Sequence, residues 1–389
     1  MNMPSEIGEK LLSINGHEVV DVLDYRFYGY DRDPELVLES TEKCGGGDTK
    51  IFAYIGIPEH EPGEKVPGIV LVHGGGGHAF PGWVRMWNDR GYAAVAMDNT
   101  GYFPSENGWV RRGDSIPDND GVTTSSGEAD EMWMYHAVIS AALCGSILRS
   151  LPDVDAERVG ITGISWGGVI TSILIGYDPR FAFAVPVYGS GFLGDAPGNI
   201  GRAFRLPDTR KIWLAEERFE NVKMPVLWLQ WNDDNCFSLK SGWESYLATR
   251  GGNSVTRYSA VDGMMHSHSH GWAPEVIGMF ADSVTKGAPV MPEITSFSLS
   301  DGRVSAEVSE NGGKITGARL FYLTVPMTRS VHEKYGYTGD FMDQTWNVTG
   351  AEISGSSIDL PLPESVCEMY LEVGFTINGK PGVVCRYCG

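Results

Sequence analysis

Ser165 sits in Gly163-Ile164-Ser165-Trp166-Gly167, with glycine two residues away on either side. A serine hydroxyl becomes a useful nucleophile only when a base takes its proton and a third group orients that base. Downstream the chain supplies both types: Asp234 in Trp231-Asn232-Asp233-Asp234, and His266 in Met264-Met265-His266-Ser267-His268-Ser269-His270. Together these residues could carry out acyl transfer. The serine would attack a carbonyl, the imidazole would take and return the proton, and the carboxylate would hold the imidazolium. In a chain with 50 glycines the Gly-x-Ser-x-Gly pattern alone is weak, so its flanks must decide.

Those flanks are specific. Residues 158–162, Arg-Val-Gly-Ile-Thr, make a short β-branched run suited to a buried strand, and residues 169–177 are mostly apolar and uncharged up to Asp178-Pro179, where proline forbids further helix. Strand, tight turn and helix place Ser165 at an elbow that lifts its hydroxyl above a sheet, over a helix N-terminus that favours developing negative charge.

The acid and the base follow strands in the same way. Residues 225–230, PVLWLQ, run straight into the aspartates. Asp234 is chosen over Asp233 because the residue further beyond the apolar run can curl back beneath a histidine. Residues 256–261, TRYSAV, precede the histidine loop. If that loop stays straight, alternation sends His266, His268 and His270 to one side, and His266 is the best anchored of the three, so it is the expected base. Three alternating histidines also invite a metal, but no Cys or His cluster completes a site, so no metal is expected. Cys385-x-x-Cys388 has ligand-like spacing without a second pair, and the six scattered cysteines read as reduced thiols.

Acyl transfer further needs backbone N–H groups aimed at the oxyanion. One would come from Trp166, the residue after the nucleophile. The other would come from Gly75 or Gly76 in His73-Gly74-Gly75-Gly76-Gly77, after the run IVLV. A phosphate loop is the competing reading, but its Lys and Ser/Thr are missing.

HGGGGHAF, GYAAVAMD, GITGISWGG and MMHSHSHGWAPE resemble the acetyl xylan esterase and dienelactone hydrolase branch of the α/β-hydrolases, akin also to prolyl oligopeptidase catalytic domains. The resemblance spans roughly residues 50–288 and implies the triad order serine, acid, histidine, with Ser165, Asp234 and His266 in those roles. Dienelactone hydrolases proper use a cysteine nucleophile, so Ser165 moves this chain toward the esterases. The implied activity is hydrolysis of short acyl esters, acetyl above butyryl, with acetylated sugars or oligosaccharides preferred over peptides; no cofactor is required.

Around this core, residues 69–73, 92–98, 158–162, 181–188, 225–230 and 255–261 are apolar runs of buried-strand length, alternating with helical stretches in which Trp133, Ala137, Ala141, Cys144, Leu148 and Leu151 recur at helical spacing. The expected fold is α/β: a doubly wound, mostly parallel sheet with its site at the strands' carboxyl ends. Residues 1–49 are expected to form an N-terminal extension packed on the core and 50–288 the catalytic domain. After Ala288-Pro289 the texture changes to alternating strands with turns at Asp301-Gly302 and Asn311-Gly312-Gly313, so 289–389 is expected to be an Ig-like or fibronectin-like β-sandwich.

An insertion over 99–130 carries Tyr102, Phe103 and Trp109 beside Glu106, Asp114, Asp118 and Asp120, and is expected to roof the site with faces for sugar rings. A second insertion, 189–221, includes Trp213 and is expected to form another wall. The net charge of −20 argues against nucleic acid and anionic membrane surfaces as partners. No run is long and apolar enough for a membrane span, and the opening residues have no secretory pattern, so a cytoplasmic setting is expected. A small-molecule or oligosaccharide ester is the expected partner, and a homo-oligomer is compatible with the sequence. Two other readings use the same residues: a serine peptidase of prolyl oligopeptidase type, and a noncatalytic carbohydrate-binding protein on a hydrolase fold.

Overall fold

The computed structural model describes residues 51–106, 108–111, 132–196, 198–206, 212–234, 236–251, 255–325 and 346–389, together with strand backbone within residues 13–50. The expected placements of Asp114, Asp118 and Asp120 lie outside the described residues. Two compact units are present, Met1–Gly189 with Ala203–Met224, and Ser190–Arg202 with Pro225–Gly389.

The first unit is built on β1 (Val22–Tyr28), β2 (Glu35–Cys44), β3 (Gly47–Gly56), β4 (Val66–Val72), β5 (Ala93–Met97), β8 (Val154–Ile164) and β9 (Ala184–Val187), in the order β9-β8-β4-β5-β3-β2-β1; a separate hairpin pairs β6 (Tyr102–Ser105) with β7 (Gly108–Arg111). The pairs β9-β8, β8-β4 and β4-β5 are parallel, and the rest antiparallel. Residues before 50 thus add antiparallel strands to the sheet, with Cys44 opposite Gly47.

Burial explains the composition of these strands. β4 is buried along its whole length and β5 likewise, so both read as unbroken apolar runs rather than alternating ones. Helix α1 (Pro81–Asp89) opens on proline, whose missing N–H costs nothing at a helix start. Helix α2 (Trp133–Ser150) is buried from Trp133 through Leu148, which is why it is apolar all round. Helix α3 (Trp166–Leu174) follows β8 directly and ends before Asp178-Pro179 as expected. Crossover helices on parallel strands give the expected doubly wound α/β arrangement.

In the second unit β10 (Leu227–Trp231) and β11 (Arg257–Val261) pair in parallel. Helix α4 (Leu239–Thr249) starts at Ser238, whose side chain accepts from the Ser241 N–H, and α5 (His268–Gly271) and α6 (Glu275–Thr285) follow β11. Two four-stranded antiparallel sheets complete the unit. One has β12 (Glu293–Ser300), β13 (Arg303–Ser309), β17 (Ser357–Pro361) and β16 (Glu352–Ser354) in that order. The other has β15 (Asn347–Gly350), β14 (Lys314–Leu323), β18 (Glu368–Ile377) and β19 (Lys380–Cys388). An Ig-like or fibronectin-like β-sandwich is the expectation after Pro289; the structure has two separate antiparallel sheets there, and Val304, Ala306, Leu320, Leu360, Leu371 and Val373 are buried in them.

The sheets are tied to β11 chemically. Buried Arg257 donates to the carbonyls of Met291 and Pro292, the chain's passage into β12. Ser259 Oγ donates to Val383 O at 2.7 Å, and the Ala260 N–H points at Cys385 Sγ at 3.3 Å. Cys385 is therefore a buried packing residue on β19. Cys388, three residues on along a strand, projects to the opposite face, so the pair does not chelate.

Candidate active site

The junction of β8 and α3 holds Ser165 at φ 59° and ψ −117°, a left-handed conformation that costs a non-glycine residue on the order of 1–3 kcal/mol. Its N–H donates to Val187 O at 2.9 Å, which fixes the bend against β9. The two flanking glycines are required by space. A Cβ on Gly163 would lie 2.1 Å from Gly167 O, and one on Gly167 would lie 2.0 Å from Val72 O. The turn therefore closes only when both positions lack side chains. Trp166, the first residue of α3, sits where backbone N–H groups have no intrahelical acceptor. Its ring meets Trp133 edge-on at 5.7 Å and lies nearly parallel to Phe204 at 6.3 Å.

The glycine loop after β4 adjoins this elbow. A Cβ on Gly75 would touch the Trp166 ring at 3.0 Å, so Gly75 and Trp166 are neighbours, while Gly76 is exposed with φ 69°. The loop is anchored by His73, whose role the sequence does not announce. Its Nδ1–H donates to Gly74 O at 2.8 Å and its Nε2 accepts from the Asn99 N–H at 3.0 Å, which sets the tautomer. Asn99 returns a bond to His73 O at 2.8 Å and accepts one from the Trp133 indole at 2.5 Å. Burial pushes the His73 pKa down, so the ring stays neutral.

Asp98 beside it is buried too, which alone would raise its pKa. The hydrogen bond from His78 and the N–H groups of Tyr102 and Thr100 outweigh that and hold the carboxyl below its ordinary value. Strand-end His73 and the Asp98-Asn99 pair at the end of β5 were the only sequence signals for this lock.

In the second unit Asp234 and His266 are brought together. His266 Nδ1 donates to Asp234 Oδ2 at 2.7 Å, and Asp234 Oδ1 accepts from the Cys236 and Phe237 N–H groups at 2.7 and 3.0 Å. The buried carboxylate is thus fixed on both oxygens, and Nδ1 carries the proton, which leaves the lone pair on Nε2. Phe237 lies parallel to the imidazole at 6.0 Å. Asp233, the rejected acid, is half-buried, and burial followed by the charge of Asp262 raises its pKa.

The histidine loop does not stay straight. Ser267 caps α5 by accepting from the His270 N–H, and its hydroxyl also meets His270 Nδ1 at 2.7 Å. A serine just ahead of a helical turn satisfies an orphan N–H, and that capping bends the chain between His266 and His268.

Among the described residues, Asp234, Cys236 and His266 present metal-capable atoms within 4.8 Å of one another. The donor set suits a hydrogen-bonded pair better than a cation. Both Asp234 oxygens already accept hydrogen bonds, and burial, then the Asp234 charge, pushes the Cys236 thiol up to about 12 and keeps it protonated.

Of the aromatic residues expected over the site, Tyr102 and Trp109 are partly exposed and Phe103 is buried. Phe103 packs with Phe52 and Ala79, with Trp109 laid against them, so it supports the hairpin from beneath. His78 stacks on Trp109 at 4.5 Å and lies 5.0 Å from Tyr102, tying the hairpin to the glycine loop through Asp98. Trp213 is also buried in the first unit, its indole directed at Met132 Sδ.

Residues 41–213 match the family model of acetyl xylan esterase. Among solved structures, acetyl xylan esterase 1 from Thermoanaerobacterium sp. JW/SL YS485 is 17% identical with a TM-score of 0.49, covering 72% of this chain and 94% of its own. Acetyl xylan esterase from Paenibacillus sp. R4 is 19% identical with a TM-score of 0.47, covering 67% and 88%. A puromycin-hydrolyzing peptidase of Mycobacterium tuberculosis is 17% identical with a TM-score of 0.46; 67% of this chain is covered but only 45% of the peptidase, so the chain spans under half of that protein's length. The family match, over under half of the chain, agrees with the resemblance to the acetyl xylan esterase-like branch read from the sequence. It covers the glycine loop and Ser165 but not Asp234 or His266.

Proposed function

We propose that this chain is a serine carboxylesterase that removes short acyl groups, acetyl above all, from carbohydrate esters. The observation that carries the mechanism is the hydrogen bond from His266 Nδ1 to a doubly anchored Asp234, which presents an imidazole with its lone pair on Nε2. The elbow conformation of Ser165 supports its role as nucleophile.

In this reading Ser165 Oγ attacks the acyl carbonyl while His266 Nε2 takes its proton. The N–H of Trp166 and an N–H of the Gly75-Gly76 segment stabilise the oxyanion, and Asp234 holds the imidazolium. His266 then gives the proton to the leaving sugar oxygen. Water, deprotonated by the same imidazole, releases the acid and restores Ser165. Tyr102 and Trp109 supply apolar faces for a sugar ring, and Phe103 holds them from behind. No residue in this scheme calls for a cofactor. Residues 50–288 carry the chemistry and 289–389 form the sandwich domain.

A panel of acetylated xylo- and manno-oligosaccharides, long-chain esters and peptide amides tests the substrate class. Acetyl release should be fastest on the oligosaccharides. Faster cleavage of peptide amides would replace this reading with a serine peptidase.

A further inference from the structure

Asp234 and His266 lie on two loops, one after β10 and one after β11, and the second unit's antiparallel sheet β15-β14-β18-β19 reaches both. Buried Trp346, just before β15, donates its indole N–H to Asn232 O at 3.0 Å, two residues ahead of Asp234. Asn232 Nδ2 in turn donates to Asp262 Oδ1 at 3.2 Å, which links the acid loop to the histidine loop. From β14, Arg319 Nη1 stands 3.8 Å from Asp262 Oδ2.

Neither Trp346 nor Arg319 is loosely held. The Trp346 ring meets Tyr370 edge-on at 5.2 Å, Tyr370 stacks on Phe321 at 4.6 Å, and the Arg319 guanidinium lies over Phe321 at 4.8 Å. Arg319 also donates through Nε and Nη2 to Glu372 Oε1 at 2.8 and 2.7 Å, on the neighbouring strand β18. The two loops have a reason to part. Asp233 on one and Asp262 on the other are like charges that act on each other, and Arg319 is the cation set against Asp262.

We propose that Trp346 and Arg319 are positioning residues, through which the C-terminal sheet clamps the acid loop to the histidine loop and sets the Asp234–His266 hydrogen bond. The proposal takes the catalytic roles of Asp234 and His266 from the function proposed above. It gives the C-terminal sheet a part in turnover beyond bracing, one that residues outside the 41–213 family match perform.

The test compares the wild-type chain with Trp346→Phe, which keeps an aromatic ring but removes the donor, with Arg319→Ala, and with Arg319→Lys. Arg303→Ala, on the other sheet and paired with exposed Asp359, is the control. The readouts are the downfield proton resonance of His266 Nδ1, assigned by its loss in His266→Ala, together with kcat, KM and Tm. Trp346→Phe and Arg319→Ala should shift or broaden the resonance and lower kcat roughly 10- to 100-fold with KM nearly unchanged, since a small misplacement of a catalytic group costs that much. Arg319→Lys should recover most of the loss, and Arg303→Ala should match wild type.

An unchanged resonance in folded Trp346→Phe and Arg319→Ala overturns the proposal, whether or not kcat falls. If Trp346→Phe fails to fold, Arg319→Ala, at a half-exposed position, decides alone. Resonance effects as expected in a protein whose wild type turns over no ester would leave the clamp standing and remove the esterase reading instead.

Discussion

The His266 Nδ1 to Asp234 Oδ2 hydrogen bond, 2.7 Å long, is matched on the carboxylate's other side by the backbone N–H groups of Cys236 and Phe237. An aspartate held at both oxygens cannot swing away, so the imidazole it holds keeps one tautomer. His270, by contrast, is engaged by Ser267.

His266→Ala should therefore abolish ester turnover, while His268→Ala and His270→Ala retain most of it. Asp234→Asn should keep the fold and lower kcat on the order of 10⁴, because the amide favours the wrong tautomer. Initial rates on an acetyl ester check both. An active His266→Ala beside an inactive His268→Ala would move the base by two residues.

The glycines around Ser165 are a matter of stability before they are one of catalysis. Gly163→Ala sets a methyl 2.1 Å from the Gly167 carbonyl oxygen, where only backbone can yield. A loss of about 3 kcal/mol or more is expected, in the range of severe backbone clashes. Urea denaturation measures it, and a midpoint equal to wild type would show that the turn can open to admit a methyl group.

Acid should weaken the first unit in two stages. The folded pKa of His73 lies below its ordinary 6.5, so as pH falls through 6.5 the unfolded chain binds a proton that the folded chain resists, and stability declines from there downward. The folded pKa of Asp98 is depressed below 3.8, so its contribution is present above that value and is lost as pH falls through the folded pKa. Denaturation midpoints at pH 7.5, 6 and 5 read the first stage. His73→Asn, which keeps a donor and an acceptor, should lose most of the slope; an equal slope in that variant would assign it to other groups.

The elements that position the site were legible where local pattern dictates them. Unbroken apolar runs mark β4 and β5, and a run broken only by buried Gln230 marks β10, because these strands are buried on both faces, and Gly163 and Gly167 mark the elbow because no side chain fits there. Asp234 and His266, the proposed acid and base, could be placed at strand ends from the apolar runs that precede them. What the sequence hid is long-range or geometric. Trp346 donates to Asn232 across 114 residues, a pairing with no period to betray it. Phe103 reads as an exposed aromatic until Phe52, on a sheet strand, and Ala79, in the loop after the glycines, cover it. The bend after His266 rests on a single cap by Ser267, which is visible in the sequence only if a helical turn is assumed to follow.

Everything proposed for this site turns on Ser165 as the nucleophile of an acyl transfer. Labelling with a serine-reactive phosphonate, read by peptide mass spectrometry, tests it most directly. Wild type should take up the label at Ser165 in step with loss of esterase activity, and folded Ser165→Ala should take up none and turn over ester on the order of 10⁴-fold or more slowly. Wild-type turnover in pure Ser165→Ala, or an active wild type that stays unlabelled at Ser165, would contradict the account.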